Sequence, residues 1–347
     1  DRYEVTVYQL GWRLGGKGAS GRNRALGDRI EEHGLHMFFG FYENAFATMQ
    51  ALYGELGRNP AAPLATWDAA WKPHDYFVLE EERPDGHYIP WEFRFPRNDG
   101  VPGIGGVLPT PWQMLETILG WAKELFEDTS AAPLHTTVSE DRVAHALEQV
   151  AERFTDTAVG GVIDGVRHLM HTIADLVAEG PETLIPNTFL HLAHYHARRL
   201  PDDATRHQAA DHALLEWLLR NFIAWLKHHW KEESKLSTEI RRARILLDLS
   251  VAAVIGMLED KLVFAPVDWF KIDHVRFEDW LEQHGAEKSS TGAPPVLLLS
   301  EIVFARWAGV GAGTCLHYTL RLAVTYKGAF AWKMQAGMGD TIFGPFY

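Results

Sequence analysis

The sequence has one cysteine, no long hydrophobic run and no excess of positive charge. Cys315 alone forms neither an intramolecular disulfide nor a cysteine-based zinc or iron–sulfur centre. A net charge of −13 at pH 7 lacks the basic footprint of a nucleic-acid-binding protein, so we expect no nucleic-acid partner. The longest apolar stretch, residues 245–258, contains Asp248 and falls short of the roughly 20 residues of a membrane span. It predicts a buried helix.

The composition is that of a protein with packed interiors. Hydrophobic residues make up 46% of the chain, with 13 Trp, 10 Tyr and 18 Phe, which excludes general disorder. At roughly 150 residues per domain, 347 residues predict two domains. The 18 histidines predict that the charge of the protein changes strongly near pH 6.

The local patterns change in character along the chain. Residues 3–10 are rich in β-branched and aromatic side chains and predict a strand, which leads into a glycine-rich segment at 11–21. Two β-rich runs within 75–95 flank Pro84-Asp85-Gly86 and predict a hairpin. From about 112 to 261 the periodicity is helical, most clearly over 211–231. Asp340 is predicted to cap a last helix.

The glycine-rich segment allows two interpretations. Gly15 and Gly16 would let a backbone approach a ligand closely, while Arg13 and Lys17 carry positive charge and Ser20 supplies a hydroxyl, a combination suited to an anion. The same residues are equally compatible with a flexible surface turn between a strand and a helix.

Two familiar nucleotide motifs do not match this segment. Gly11-x4-Gly16-Lys17 satisfies most of the phosphate-loop pattern, but Gly18 stands where that pattern needs the Ser or Thr that holds Mg²⁺. A dinucleotide-binding G-x-G-x-x-G does not occur in a suitable place, since the glycines at 309–313 have the wrong spacing and follow no clear strand.

Residues 3–20, which include Arg13-Leu-Gly15-Gly16-Lys17, nevertheless resemble the second strand and R-x-G-G motif of FAD-dependent oxidoreductases. Among these enzymes, the segment looks most similar to the phytoene desaturase and flavin amine oxidase superfamily. Residues 30–44 and 321–347 are similar to its flavin-proximal segment and to its return from the substrate domain to the flavin domain. The resemblance implies FAD as cofactor, with Gln9 near the ribose, Arg13, Gly15, Gly16, Lys17 and Ser20 at the pyrophosphate, and His36 beside the flavin ring. Gln9 departs from the acid usual in the family.

The fold class implied is α/β plus α, a remnant of a Rossmann-like FAD-binding domain with a large, mostly helical substrate domain carrying the β-hairpin. Residues 1–50 would belong to the FAD-binding domain, 51–320 to the substrate domain, and 321–347 to the return segment. We expect the middle part of a longer enzyme, whose G-x-G-x-x-G unit precedes Asp1 and whose flavin-closing segment follows Tyr347. The expected location is the cytoplasm, with or without peripheral contact to a membrane.

The function that the resemblance implies is a desaturase, dehydrogenase or amine-oxidase-like reaction, with hydride transfer from an apolar small molecule to the flavin. Gln9 in place of an acid leaves open a non-catalytic scaffold or partner-binding module that retains a relic nucleotide fold. A redox-neutral flavin isomerase or hydratase is a further alternative. The catalytic base, the substrate and the oligomeric state are not specified by the sequence.

Other chemistry-bearing residues favour structural roles. His191, His194 and His196 share no single helical face with a carboxylate, so we predict a polar helix end and no metal site. The adjacent acids Glu31 and Glu32 are predicted to be solvated. Cys315, in an apolar context, is predicted to be a small buried residue.

Overall fold

The computed structural model describes residues 3–11, 13–34, 36–83, 85–129, 184–230, 236–305 and 309–347. The chain divides into two compact units. The first comprises Asp1–Leu108 and Leu320–Tyr347, and the second comprises Pro109–Thr319.

The strands of the first unit form three small antiparallel sheets. They are β1 (Gly21–Asn23), β2 (Arg29–Glu31), β3 (Met37–Phe39), β4 (Trp71–His74), β5 (Tyr76–Glu82), β6 (Tyr88–Arg94) and β7 (Ala331–Met334). β1 pairs with β2, β5 pairs with β6, and β7 lies between β3 and β4.

The core of this unit lies between the central sheet and helix α1 (Glu43–Leu56). Phe46, Met49 and Tyr53 recur at helical spacing and are all buried. The Phe46 ring packs edge-on against Trp332 of β7, with 5.5 Å between ring centroids. Tyr53 donates a buried hydrogen bond to the Thr341 carbonyl at 2.9 Å. This bond attaches α1 to residues 337–347, here called the carboxy-terminal segment.

The hairpin predicted within 75–95 is confirmed by β5 and β6. Its turn closes through Gly86 N–H, which donates to the Arg83 carbonyl at 2.8 Å. Gly86 has a φ of +80°, a conformation that favours glycine. The sequence of the turn therefore explains its geometry.

The prediction of a strand over residues 3–10 is wrong. These residues pair with no strand in the described part of the chain. Their apolar side chains are exposed, from 71% for Val7 to 107% for Leu10. β-propensity alone cannot make a strand where no neighbouring backbone supplies hydrogen bonds.

The remaining helices of the structure are mostly in the second unit. Those longer than one turn are α3 (Pro111–Thr129), α4 (Leu184–Arg199), α5 (Ala209–His229), α6 (Thr238–Glu259), α7 (Phe277–Gln283) and α10 (Ala312–Val324). Helix α10 begins in the second unit and ends in the first. Single-turn helices are α2 (Trp67–Ala70) in the first unit, α8 (Lys288–Thr291) and α9 (Pro294–Leu297) in the second, and α11 (Gly344–Phe346) at the carboxyl end. Leu298–Val303 and Gly339–Phe343 are π-helical.

Helices α3 to α6 pack against one another and form the core of the second unit. The predicted helix over 211–231 is confirmed as α5, whose buried stripe includes Leu215, Leu218 and Phe222. The apolar stretch 245–258 is buried in α6, as predicted. Residues 130–183, also in the predicted helical region, lie outside the described residues.

Three arginines, Arg241, Arg242 and Arg244, precede the apolar stretch of α6. This pattern predicts a helix start held by surface ion pairs, with docking on anionic lipid as the alternative, and the first prediction is wrong. Instead Arg241 and Arg244 are 6% and 1% exposed, and the Arg244 guanidinium pairs with Glu287. The helix turns these side chains towards the core because they share a face with Ile245 and Asp248.

The mixed α/β class is confirmed. A Rossmann-like domain is built on a mostly parallel sheet. Every sheet in the described residues is antiparallel, so the Rossmann-like domain stays a prediction.

Candidate functional site

The predicted anion-binding segment forms a tight turn. Gly15 and Gly16 have φ values of +109° and +53°, and Gly16 begins a single 3₁₀ turn that ends at Gly18. The Gly18 N–H donates to the Gly15 carbonyl at 2.8 Å, and the Ala19 N–H donates to Gly16 at 3.2 Å. Positive φ at two consecutive positions explains the glycine pair. A Cβ at Gly16 would meet no atom within 4 Å, so that backbone is open to approach.

This turn packs directly on the carboxy-terminal segment. The Phe343 ring lies against Gly15 and Gly18, and a Cβ on Gly18 would stand 2.7 Å from the ring. A Cβ on Gly339 would stand 2.6 Å from the Ser20 nitrogen. The absence of side chains at these positions allows two distant segments of the chain to meet.

Glu32 links the turn to the same segment. Its Oε1 accepts hydrogen bonds from the Ser20 hydroxyl and from the Met338 N–H, the latter at 2.6 Å. Its Oε2 lies 3.0 Å from His36 Nδ1. Burial opposes ionisation of this carboxyl, but the hydrogen bonds from Ser20, His36 and Met338 outweigh it and lower the pKa of Glu32.

A cavity of about 340 Å³ opens between the turn and the carboxy-terminal segment. Arg22 and Asp340 form a half-buried ion pair on its wall, with 2.6 Å between Nη2 and Oδ2. The residues that line it are Gln9, Arg13, Leu14, Ser20, Arg22, Gly339, Asp340, Phe343, Gly344 and Tyr347. A wider opening of about 800 Å³ adjoins it along residues 7–11, 13–16 and 19–22.

The structure brings together some of the predicted site residues and separates others. Gln9, Arg13 and Ser20 border both openings. Gly15 and Gly16 border the wider one. Lys17 is exposed and His36 faces Glu32, and neither residue lines these two openings.

Sequence reasoning missed four residues of this site: Arg22, Glu32, Asp340 and Phe343. The prediction that Glu32 is solvated is wrong, because its side chain is 17% exposed and its carboxylate contacts Ser20, Met338 and His36. The prediction that Asp340 caps the last helix is wrong. Asp340 lies in the first turn of the π-helix Gly339–Phe343 and pairs with Arg22, and the residue at the cap position is Met338. The i,i+4 spacing of Glu32 and His36 is the one local signal that pointed to their contact.

The histidines predicted to form a polar helix end have separate environments. His191 Nε2 lies 2.5 Å from Glu127 Oε1, and His196 Nε2 lies 3.2 Å from the Asp211 carbonyl. Burial, reinforced by nearby positive charges, lowers the pKa of His194 to about 4. Among the described residues no three His, Cys, Asp or Glu side chains are placed to hold a metal ion.

Cys315 is 1% exposed, which confirms the prediction of a buried residue. Its burial raises the pKa of the thiol to about 12, so the thiolate is scarce at neutral pH.

Comparison with protein family models, curated proteins and solved structures finds no match to this chain. Within the described parts of the chain, no helix combines the length and the apolar character needed to cross a membrane.

Proposed function

We propose that the protein is an FAD-dependent oxidoreductase, in which an apolar small molecule gives up a hydride to the flavin. The observation that carries the proposal is the cavity at the Arg-x-Gly-Gly turn, which is lined by two arginines, Arg13 and Arg22. The resemblance of residues 3–20 to the R-x-G-G segment of such enzymes points to the same place.

The chemistry of the donor set fits a diphosphate. Guanidinium groups bind phosphate oxygens through charge-assisted, often bidentate hydrogen bonds. The Gly18 and Ala19 amides are engaged within the turn, so the arginines rather than these amides would carry the recognition. Asp340 holds one side of Arg22, and an incoming phosphate would share that guanidinium with the carboxylate.

The remaining residues have distinct parts in this proposal. Open space at Gly16 would let the ligand approach the backbone. The exposed Gln9 amide, which donates to the Gly11 carbonyl at 2.8 Å, borders the cavity and would face a ribose hydroxyl. Lys17 would add positive charge, while His36, held by Glu32, would lie on the flavin side. FAD when bound would supply the hydride acceptor, and the chain would bind and orient it.

The test is reconstitution. Purified protein is incubated with FAD, separated from free cofactor by gel filtration and examined for the visible absorption of bound flavin. We expect flavin to co-elute with the protein, and bleaching of its spectrum when an apolar substrate is added without oxygen. A colourless protein would instead favour the non-catalytic scaffold. Bound flavin that turns substrate over without any electron acceptor would favour the redox-neutral isomerase or hydratase.

A further inference from the structure

One carboxylate joins three parts of the first unit. Glu32 follows β2, Ser20 ends the glycine turn, and Met338 precedes the π-helix Gly339–Phe343. The Ser20 hydroxyl and the Met338 N–H both donate to Glu32 Oε1. Ser20 Oγ in turn accepts the Gly339 N–H at 2.8 Å. The two walls of the cavity are therefore hydrogen-bonded to each other through Glu32 and Ser20.

The packing around Ser20 and Glu32 leaves no space for a side chain at residue 337. Ser20 is 3% exposed. A Cβ on Gly337 would lie 2.7 Å from the Ser20 Cβ and 2.8 Å from Glu32 Oε1. Because Ser20 and Gly339 also line the cavity, any displacement of these hydrogen bonds changes the shape of the binding site.

We propose that Glu32 is the positioning residue of this site: its ionised carboxylate holds Ser20 and residues 337–340 together, and so keeps the cavity open to a diphosphate. The first part concerns the chain alone, and the second rests on the proposed function. Glu32 itself lines neither opening and needs no contact with the ligand.

The chemistry explains why a carboxylate is required. An ionised carboxylate only accepts hydrogen bonds, and here it faces a hydroxyl, a backbone N–H and an imidazole nitrogen. A glutamine or a protonated carboxyl keeps only one purely accepting oxygen, and its NH₂ or O–H must face either the Ser20 and Met338 donors or His36, which accepts only in the neutral tautomer with Nδ1 unprotonated. Either change also removes the negative charge that strengthens the hydrogen bonds from Ser20 and Met338.

The direction of the pH effect follows from the lowered pKa of Glu32. The hydrogen bonds are complete above the ordinary carboxyl range, and they are lost only as the pH falls below that range, because the folded-state pKa is the lower one. Of the other charged groups at this junction, His36 contacts Glu32 directly, and Arg22 pairs with Asp340. The adjacent Glu31 accepts a hydrogen bond from Asn23 at 2.8 Å on the exposed side of the strand.

Glu31→Gln is therefore a matched control for Glu32→Gln. Hydrogen exchange of the peptide containing Met338 and Gly339 is measured at pH 7 without ligand. We expect exchange at least tenfold faster in Glu32→Gln than in the wild type, and no change in Glu31→Gln. If Glu32→Gln fails to fold, Ser20→Ala provides the second variant, and faster exchange at Gly339 is again expected. Unchanged exchange in the folded variants would overturn the proposal.

The closing experiment adds FAD as the probe and follows quenching of its fluorescence from pH 7 to pH 3. The wild type should lose affinity as the pH falls below the ordinary carboxyl range. Glu32→Gln should bind at least tenfold more weakly at pH 7 and show a flat profile, while Glu31→Gln should follow the wild type. Equal binding by wild type and Glu32→Gln overturns the proposal. If the wild type binds no FAD, the proposed function fails, and the exchange result alone decides whether Glu32 positions the two segments.

Discussion

Ser20 accepts a hydrogen bond from the backbone of Gly339 at 2.8 Å, although 319 positions separate the two residues in sequence. The contact requires a small residue on one side and a hydroxyl on the other. It brings the glycine turn against the carboxy-terminal segment and forms one edge of the proposed diphosphate site. The glycines near position 339 should therefore be sensitive to substitution.

Gly337→Ala should destabilise the first unit. Its Cβ would lie 2.7 Å from the Ser20 Cβ, and overpacking of this kind costs about 1–3 kcal/mol. Gly54→Ala in α1 is the control, because a Cβ there meets nothing within 4 Å and alanine is the better helix former, by about 1 kcal/mol. Urea denaturation of both variants measures the difference. Equal free energies of unfolding for Gly337→Ala and the wild type would mean that the two segments are not in contact.

His194 should make the second unit less stable in mild acid. Burial lowers the pKa of His194 to about 4, so the unfolded chain takes up this proton first as the pH falls. Its contribution to stability is complete above about pH 6.5 and declines down to pH 4. The urea midpoint should fall less between pH 7 and pH 5 in His194→Gln than in the wild type, and the exposed His228→Gln should retain the wild-type slope. Parallel slopes in all three proteins would exclude this role for His194.

Cys315 should react slowly with thiol reagents in the native protein. It is 1% exposed, and burial raises the pKa of its thiol to about 12. A chromogenic disulfide reagent at pH 7.5 (a pH chosen well below that pKa) should modify it fully in denaturant and at least about tenfold more slowly without it, because both access and thiolate are lacking. Rapid labelling of the native protein would contradict the buried placement.

The features that sequence predicted well depend on local chemistry. The hairpin follows from its turn, where Gly86 takes a positive φ, and α5 follows from an apolar stripe at helical spacing. Glu216 and Arg220 have the i,i+4 spacing of a helical ion pair, and on α5 Arg220 Nε lies 2.8 Å from Glu216 Oε1. Each of these depends on residues a few positions apart, so the sequence pattern contains the relevant contact.

The features that could not be predicted from the sequence depend on contacts between residues that are far apart along the chain. The Met338 N–H and Glu32 are 306 positions apart, and no spacing rule pairs them. Residues 3–10 have the composition of a strand, but pairing is decided by neighbours that composition does not reveal. For the candidate site, the glycine turn and Arg13 could be predicted from sequence, whereas Arg22 and Phe343 could be placed there only by the fold.

The proposed function requires that the cavity at the glycine turn binds the diphosphate of FAD through Arg13. The most direct measurement is the dissociation constant of FAD for the wild type, Arg13→Ala and Arg24→Ala, with ADP as a competitor. Arg24 is an exposed neighbour outside both openings and serves as the control. Loss of a charged hydrogen-bond donor costs about 1.5–3 kcal/mol, so Arg13→Ala should bind FAD at least about tenfold more weakly while Arg24→Ala matches the wild type and ADP competes. Equal affinity of Arg13→Ala and the wild type would mean that Arg13 does not hold the diphosphate, and no FAD binding by the wild type would refute the proposed function.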